Sequence, residues 1–364
     1  MTAVTRRADA ALDLASQAAL IGAAVLLVLR PRLVAHAANS PLLPKTRDIA
    51  LAAARYVAPP APPPLPWHVS KARALSRLVA RYAPTRIGAA RELTKKAGRR
   101  LNGSSALLAF SVLADSAVEH YRGSFANRAM YTPLVASALT LGGSVFGLAD
   151  ARPKKHMVRD TIYAAAALTG FGGLCFHAYN VLKRPGGWSW NNLFYAAPIG
   201  APMALALAGL LGRGAERVRD VPPRQRPTVL GMPAGRALGA VAAAGLAGTV
   251  GEAGLLHFRG AYHNPAMVLP VTVPPVAAAL LGAAAVRPSA NANRLARLWL
   301  RITALLGLGG VGFHIFGVSR NMGGWRNWSQ NVLNGPPLPA PPSFTGLALA
   351  GLAALSLIED ETDA

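Results

Sequence analysis

The chain has 364 residues, 52% of them hydrophobic and only 15% charged, with a net charge of +23. That excludes an ordinary soluble domain, in which about a quarter of the residues are charged. Cys175 is the only cysteine, which excludes an intrachain disulfide and any multi-cysteine zinc or iron–sulfur site.

Nine apolar windows run along the chain, at 10–29, 104–121, 130–149, 160–182, 192–212, 236–257, 265–286, 297–318 and 332–357. Each is long enough as a helix to cross about 30 Å of hydrocarbon. None shows the polar face of an Ala-rich soluble helix. Pro270, Pro274 and Pro275 fall inside one window, which a membrane helix tolerates when its neighbours satisfy the freed backbone. The composition therefore predicts an all-α polytopic membrane protein.

The first window makes residues 1–30 an N-terminal apolar helix. Arg6 and Arg7 before it and Ala35-His36-Ala37 after it resemble a signal peptide and its cleavage site, but Arg30 and Arg32 favour a retained anchor. Residues 31–103 form a basic segment broken by PPAPPPLPW, a stiff polyproline spacer. Between Arg30 and Arg100 lie fifteen Lys and Arg against two acids, Asp48 and Glu92. The stretch from Lys71 to Arg81 suits either an anionic lipid surface or a solvated linker.

The remainder repeats itself. HYRGSFANRAMYTP from His120 superposes on HFRGAYHNPAMVLP from His257, 137 residues later, with seven of fourteen positions identical. The same shift pairs GFGGLCFH from Gly170 with GLGGVGFH from Gly307. After a Gly-Gly-Trp in each copy the register slips by two, so NLFYAAPIGAP meets NVLNGPPLPAP. The pattern predicts tandem transmembrane repeats at 104–213 and 236–358, joined by a basic linker at 214–235 and followed by an acidic tail at 359–364. Four helices per copy put the copies in the same orientation, as parallel repeats, and the N-terminal helix brings the total to about nine.

Basic residues orient the chain. The loops after the first and third helices of the copies carry seven Lys and Arg, and the opposite loops carry fourteen, with the 31–103 segment on that richer side. The richer side is expected in the cytoplasm, which accounts for the charge without nucleic acid. In a bacterial inner membrane the HxRG and GGW loops then face the periplasm. Arg6 and Arg7 fit this topology poorly.

Four histidines recur in register: His120 with His257 and His177 with His314. All fall in the last turns of helices that run outward, and an ionisable group at membrane depth is a functional candidate. Gly170 and Gly173 precede His177 on one helical face, as Gly307 and Gly310 precede His314. Ser116 and Ala117 stand likewise before His120, and Ala253 and Gly254 before His257. Such a strip admits a flat group against the backbone, the requirement of haem b held by one His from each of two helices. Arg122 and Arg259, with Lys183 and Arg320, are placed to meet its propionates. Small residues beside a His also serve plain helix packing, however, with no cofactor at all. His36, His68, His156 and His263 have no partner in the other copy and are expected to be ordinary loop residues.

Asp115 and Glu252 pair as well, each five residues before its His. With the four histidines they are candidate ligands of a dinuclear iron or copper site. Five residues turn a helix by about 140°, so carboxylate and imidazole do not share a face, and satisfaction by Arg122, Arg259 or the other copy is the expected role. Asn127 and Asn264 are placed to cap the next helix, and Trp188 and Trp325 to anchor at the interface. Nucleotide, nucleophile and protease motifs are absent. The best reading is a non-catalytic redox subunit with one bis-His haem per copy, partnered by a quinone or a periplasmic dehydrogenase. Its alternatives are a transporter or channel of duplicated halves and a structural subunit. The sequence leaves the oligomeric state open.

Overall fold

A computed structural model describes residues 86–150, 156–222 and 225–362. The first apolar window and the Pro-rich tract lie outside the described residues. The described chain is almost entirely helical: α1 (Arg86–Arg122), α2 (Thr132–Ala149), α3 (Met157–Leu182), α4 (Trp190–Tyr195) and α5 (Gly200–Arg219), then α6 (Ala234–Arg259), α7 (Leu269–Val286), α8 (Ala290–Arg320), α9 (Trp328–Asn334) and α10 (Pro342–Thr362). One short hairpin, β1 (Thr228–Val229) with β2 (Met232–Pro233), precedes α6.

Seven of these helices are long and apolar enough to cross a membrane. They are α1, α2, α3, α6, α7, α8 and α10, with a helical turn at 128–131 extending α2 and one at 265–268 extending α7. The helix at 200–219 is not among them, although the window at 192–212 predicts a span. Arg213, Glu216, Arg217 and Arg219 load its last turns with charge. Helix α1 starts well before its apolar window, and Ala97 and Leu101 are already buried.

Helices α5 and α10 sit at the centre. Helix α5 packs on α1, α2 and α3, and α10 packs on α6, α7 and α8. Each also reaches across: α10 lies against α1, and α5 against α6. Glycine makes these approaches possible. A Cβ on Gly170 would overlap the Ala206 backbone and the Pro202 carbonyl of α5, and one on Gly307 would overlap Thr345 and the Pro341 carbonyl beside α10. The core cluster, rich in Ala and Leu, runs through α1, α5, α6, α7, α8 and α10. Helices α3 and α8 keep much of their surface outward, including Leu168, Phe176, Leu305 and Phe313. That is the exposure expected of helices facing lipid.

Candidate functional site

Each of the four paired histidines is held by the loop that follows its helix. His120 Nδ1 lies 2.6 Å from the Met130 carbonyl, and His257 Nδ1 lies 2.8 Å from that of Met267. His177 Nδ1 lies 2.5 Å from the Pro198 carbonyl, and His314 Nδ1 lies 2.6 Å from that of Pro337. A carbonyl only accepts, so Nδ1 carries the hydrogen and Nε2 keeps its lone pair. Among the described residues no protein group bonds any of the four Nε2 atoms. His177 lies within electrostatic range of His120, and His314 of His257.

The HxRG loop is a device for fixing an imidazole. In both copies two successive non-glycine residues take positive φ, Ser124 (54°) with Phe125 (47°) and Ala261 (54°) with Tyr262 (46°). Each such residue costs about 1 kcal/mol or more, and the strain recurs at paired positions. The turn closes the helix, with Phe125 N–H donating to the His120 carbonyl at 2.9 Å and Tyr262 N–H to that of His257 at 3.1 Å. It also sets a ring edge-on to each imidazole, Phe125 at 6.3 Å from His120 and Tyr262 at 6.1 Å from His257. Asn127 and Asn264 cap the next turn by accepting from Ala129 and Ala266 N–H, each at 2.9 Å. Gly123 and Gly260 leave room for the Met130 and Met267 methyl groups.

The GGW loop does the same for the third helix of each copy. Gly186 (φ +89°) and Gly187 (φ +51°), like Gly323 (φ +81°) and Gly324 (φ +51°), supply the left-handed turn. Buried Asn192 then donates to the Pro185 and Gly187 carbonyls at 3.0 and 2.9 Å, and buried Asn331 to those of Met322 and Gly324 at 3.2 and 2.8 Å. The two-residue register slip falls between these asparagines and the prolines' partner histidines, so both copies reach the same bond with different loop lengths.

Other expectations need correction. The glycine strips do not stand open: Pro202 packs on Gly173 and Pro341 on Gly310, while α5 and the start of α10 fill Gly170 and Gly307. Their small volume is used for helix contact. Arg122 does not reach Asp115 but pairs with Glu119 at 2.8 Å, and Arg259 lies over the Tyr195 ring at 5.0 Å. Asp115 and Glu252 instead interact with each other across the junction between the copies, with Glu252 resting on Gly200 at the start of α5. Among the described residues no three His, Cys, Asp or Glu side chains gather around one point where an ion would bind.

One cluster escaped the sequence reading. At the opposite end of the first copy, Arg159 donates to Asp150 at 3.3 Å and to Glu216 at 3.0 Å, and Arg219 pairs with Glu216 and Asp220. His156 joins at 3.1 Å from Asp150, so it is no ordinary loop residue. Above it, Tyr163 donates to Asn102 at 2.7 Å, and Ser144 bonds both Tyr163 and Ser105. Opposite Asn102, Ser105, Ser144, Arg159, Tyr163, Glu216 and Arg219 the second copy has Gly239, Ala242, Leu281, Ala296, Leu300, Leu355 and Ile358, all buried and none of them polar, while Asp150, His156 and Asp220 are matched by Arg287, Asn293 and Glu359. The register is secure, since Gly212 packs on Tyr163 as Gly351 packs on Leu300. Comparing the copies for polar-to-apolar exchanges would have found it.

Comparison with known proteins adds no relative: no family model, no curated protein and no solved structure matches the chain.

Proposed function

We propose that the protein is a membrane redox subunit of two parallel four-helix copies, each binding one haem b through Nε2 of its two histidines, His120 with His177 and His257 with His314. One observation carries this reading: four imidazoles have Nδ1 committed to a backbone carbonyl and Nε2 without a protein partner. Histidines that ligate iron or other metals use their second nitrogen in this way, which fixes tautomer and ring orientation. A histidine that merely packs helices bonds across the interface through the nitrogens it has, because unsatisfied polar atoms are costly in hydrocarbon. Within each copy the first and third helices both pack on the fourth, which brings the two histidine-bearing helices into one bundle. Haem, when bound, supplies one-electron exchange; the strained HxRG turns and the asparagine-tied GGW loops hold the ligand atoms in place for it. The exposed loops would face the periplasm of a bacterial inner membrane, where a quinone or a periplasmic dehydrogenase is the electron partner.

The test is spectroscopic. Protein purified in detergent should show a Soret band and reduced α and β bands with dithionite. Each of His120→Ala and His177→Ala should remove about half of the signal, and adding His257→Ala should remove the rest. A colourless protein carrying stoichiometric iron or copper would replace haem by a directly bound metal. A colourless, metal-free protein would overturn the redox reading in favour of a transporter or a structural subunit.

A further inference from the structure

An aromatic element of the first copy reaches the histidine end of the second. Helix α4 belongs to the GGW loop of the first copy, and three residues beyond it the Pro198 carbonyl holds His177. Yet its side chains grip the second copy. Phe194 stacks on Phe258 with ring centroids 5.6 Å apart and planes 17° from parallel, and Arg259 lies over Tyr195 at 5.0 Å. Phe258 and Arg259 are the two residues after His257. Trp190 stacks on Phe194 at 5.9 Å and Arg184 donates to the Tyr195 carbonyl at 3.4 Å, so the grip is tied back to its own loop. The aromatic grip runs one way although α9 touches α1 as α4 touches α6: α9 places Leu333 and Asn334 at the positions of Phe194 and Tyr195, and among the described residues Tyr121, the counterpart of Phe258, stacks on no ring of the second copy.

We propose that Phe194 and Tyr195 are positioning residues for His257, so that the two histidine pairs load cooperatively. The inference rests on the His-ligated reading above. The physical link is short: a ligand that orders His177 fixes Pro198 and the loop behind it, which fixes α4, which fixes the end of α6 that carries His257. Coupling through such a link is reciprocal, so occupancy of His257 and His314 must strengthen the first pair by the same factor, on the order of fivefold.

Titration of haem-free protein in detergent with hemin tests it. Wild type should bind two per chain with a Hill coefficient above one. Phe194→Leu combined with Tyr195→Leu should still bind two, with the coefficient falling to one, and Phe194→Tyr should keep it. His257→Ala should weaken binding at the first pair about fivefold in wild type and not in the double variant. Two haems bound independently by wild type, or cooperativity unchanged in the double variant, would overturn the coupling while leaving the haem reading intact. Absence of any histidine-dependent hemin binding would overturn both.

Discussion

Gly170 of α3 meets the backbone nitrogen of Ala206 in α5, and no methyl group fits between them. Gly172, two residues on, has nothing within 4 Å of where its Cβ would be. The two glycines therefore predict opposite outcomes. Gly170→Leu has to push two helices apart against backbone atoms that cannot rotate away, and overpacking of this kind costs about 1–3 kcal/mol or more. Gly172→Leu points outward and should be neutral. Thermal unfolding followed by circular dichroism in detergent separates them, and equal melting temperatures would contradict the packing described.

How much of this was legible follows from what periodicity can and cannot carry. The duplication, the helix ends near His120 and His257, and the caps at Asn127 and Asn264 all rest on local spacing, which the sequence states directly. What fills a glycine face does not, because it depends on which helix comes alongside. Gly173 reads the same whether Pro202 or a flat cofactor lies on it. The partner of Arg122 was misplaced for a similar reason: Glu119 is nearer along the helix than Asp115. The buried cluster around Arg159 was hidden by its position at a helix start, where charges usually count as orientation signals.

That cluster has an internal control. The second copy packs the positions of Arg159, Glu216 and Arg219 with Ala296, Leu355 and Ile358, so the fold does not need charges at these three. Arg159→Ala removes the cation shared by Asp150 and Glu216, leaving Glu216 to Arg219 and Asp150 to His156, and should cost about 1.5–3 kcal/mol. Adding Glu216→Leu and Arg219→Ile copies the second copy at these three positions, Asp150→Asn removes the carboxylate charge beside them, and together they should restore most of that loss, since well-packed apolar replacements of buried ion pairs are commonly neutral or better. If the combined variant melts no higher than Arg159→Ala, the paired positions are not interchangeable.

The hydrogen-bond geometry at the four histidines predicts a single tautomer. With Nδ1 donating to the carbonyls of Met130, Pro198, Met267 and Pro337, all four neutral rings should carry hydrogen on Nδ1. Nitrogen NMR of imidazole-labelled, haem-free protein reads this from the separate shifts of the two ring nitrogens. Signals with Nε2 protonated at these residues would remove the premise of the proposed ligation before any cofactor is considered.

Asn192 ties the first GGW loop by donating to two carbonyls, and Asn192→Ala leaves both without that donor. Each lost hydrogen bond costs about 0.5–1.5 kcal/mol, and losing both should loosen the segment that follows Lys183. Trypsin should then cut after Lys183 several times faster than in wild type (Arg184 is followed by Pro185 and is not a site), while cutting after Arg320 in the second copy is unchanged. Equal rates would mean that the turn is held by Gly186 and Gly187 alone.

The orientation is open to a direct test, because Cys175 is the only cysteine. In a Cys175→Ser background, Met322→Cys places a thiol in the second GGW loop, at a site 91% exposed, and Leu230→Cys places one in the hairpin before α6, at a site 82% exposed. These loops lie at opposite ends of α6 and α8, so a membrane-impermeant maleimide added to intact cells can reach only one of them. The excess of Lys and Arg on the hairpin side predicts a cytoplasmic hairpin, in which case Met322→Cys is the one labelled. The reverse pattern would move all four histidines to the cytoplasmic face and exclude a periplasmic electron partner, while leaving the geometry of the imidazole pairs unchanged.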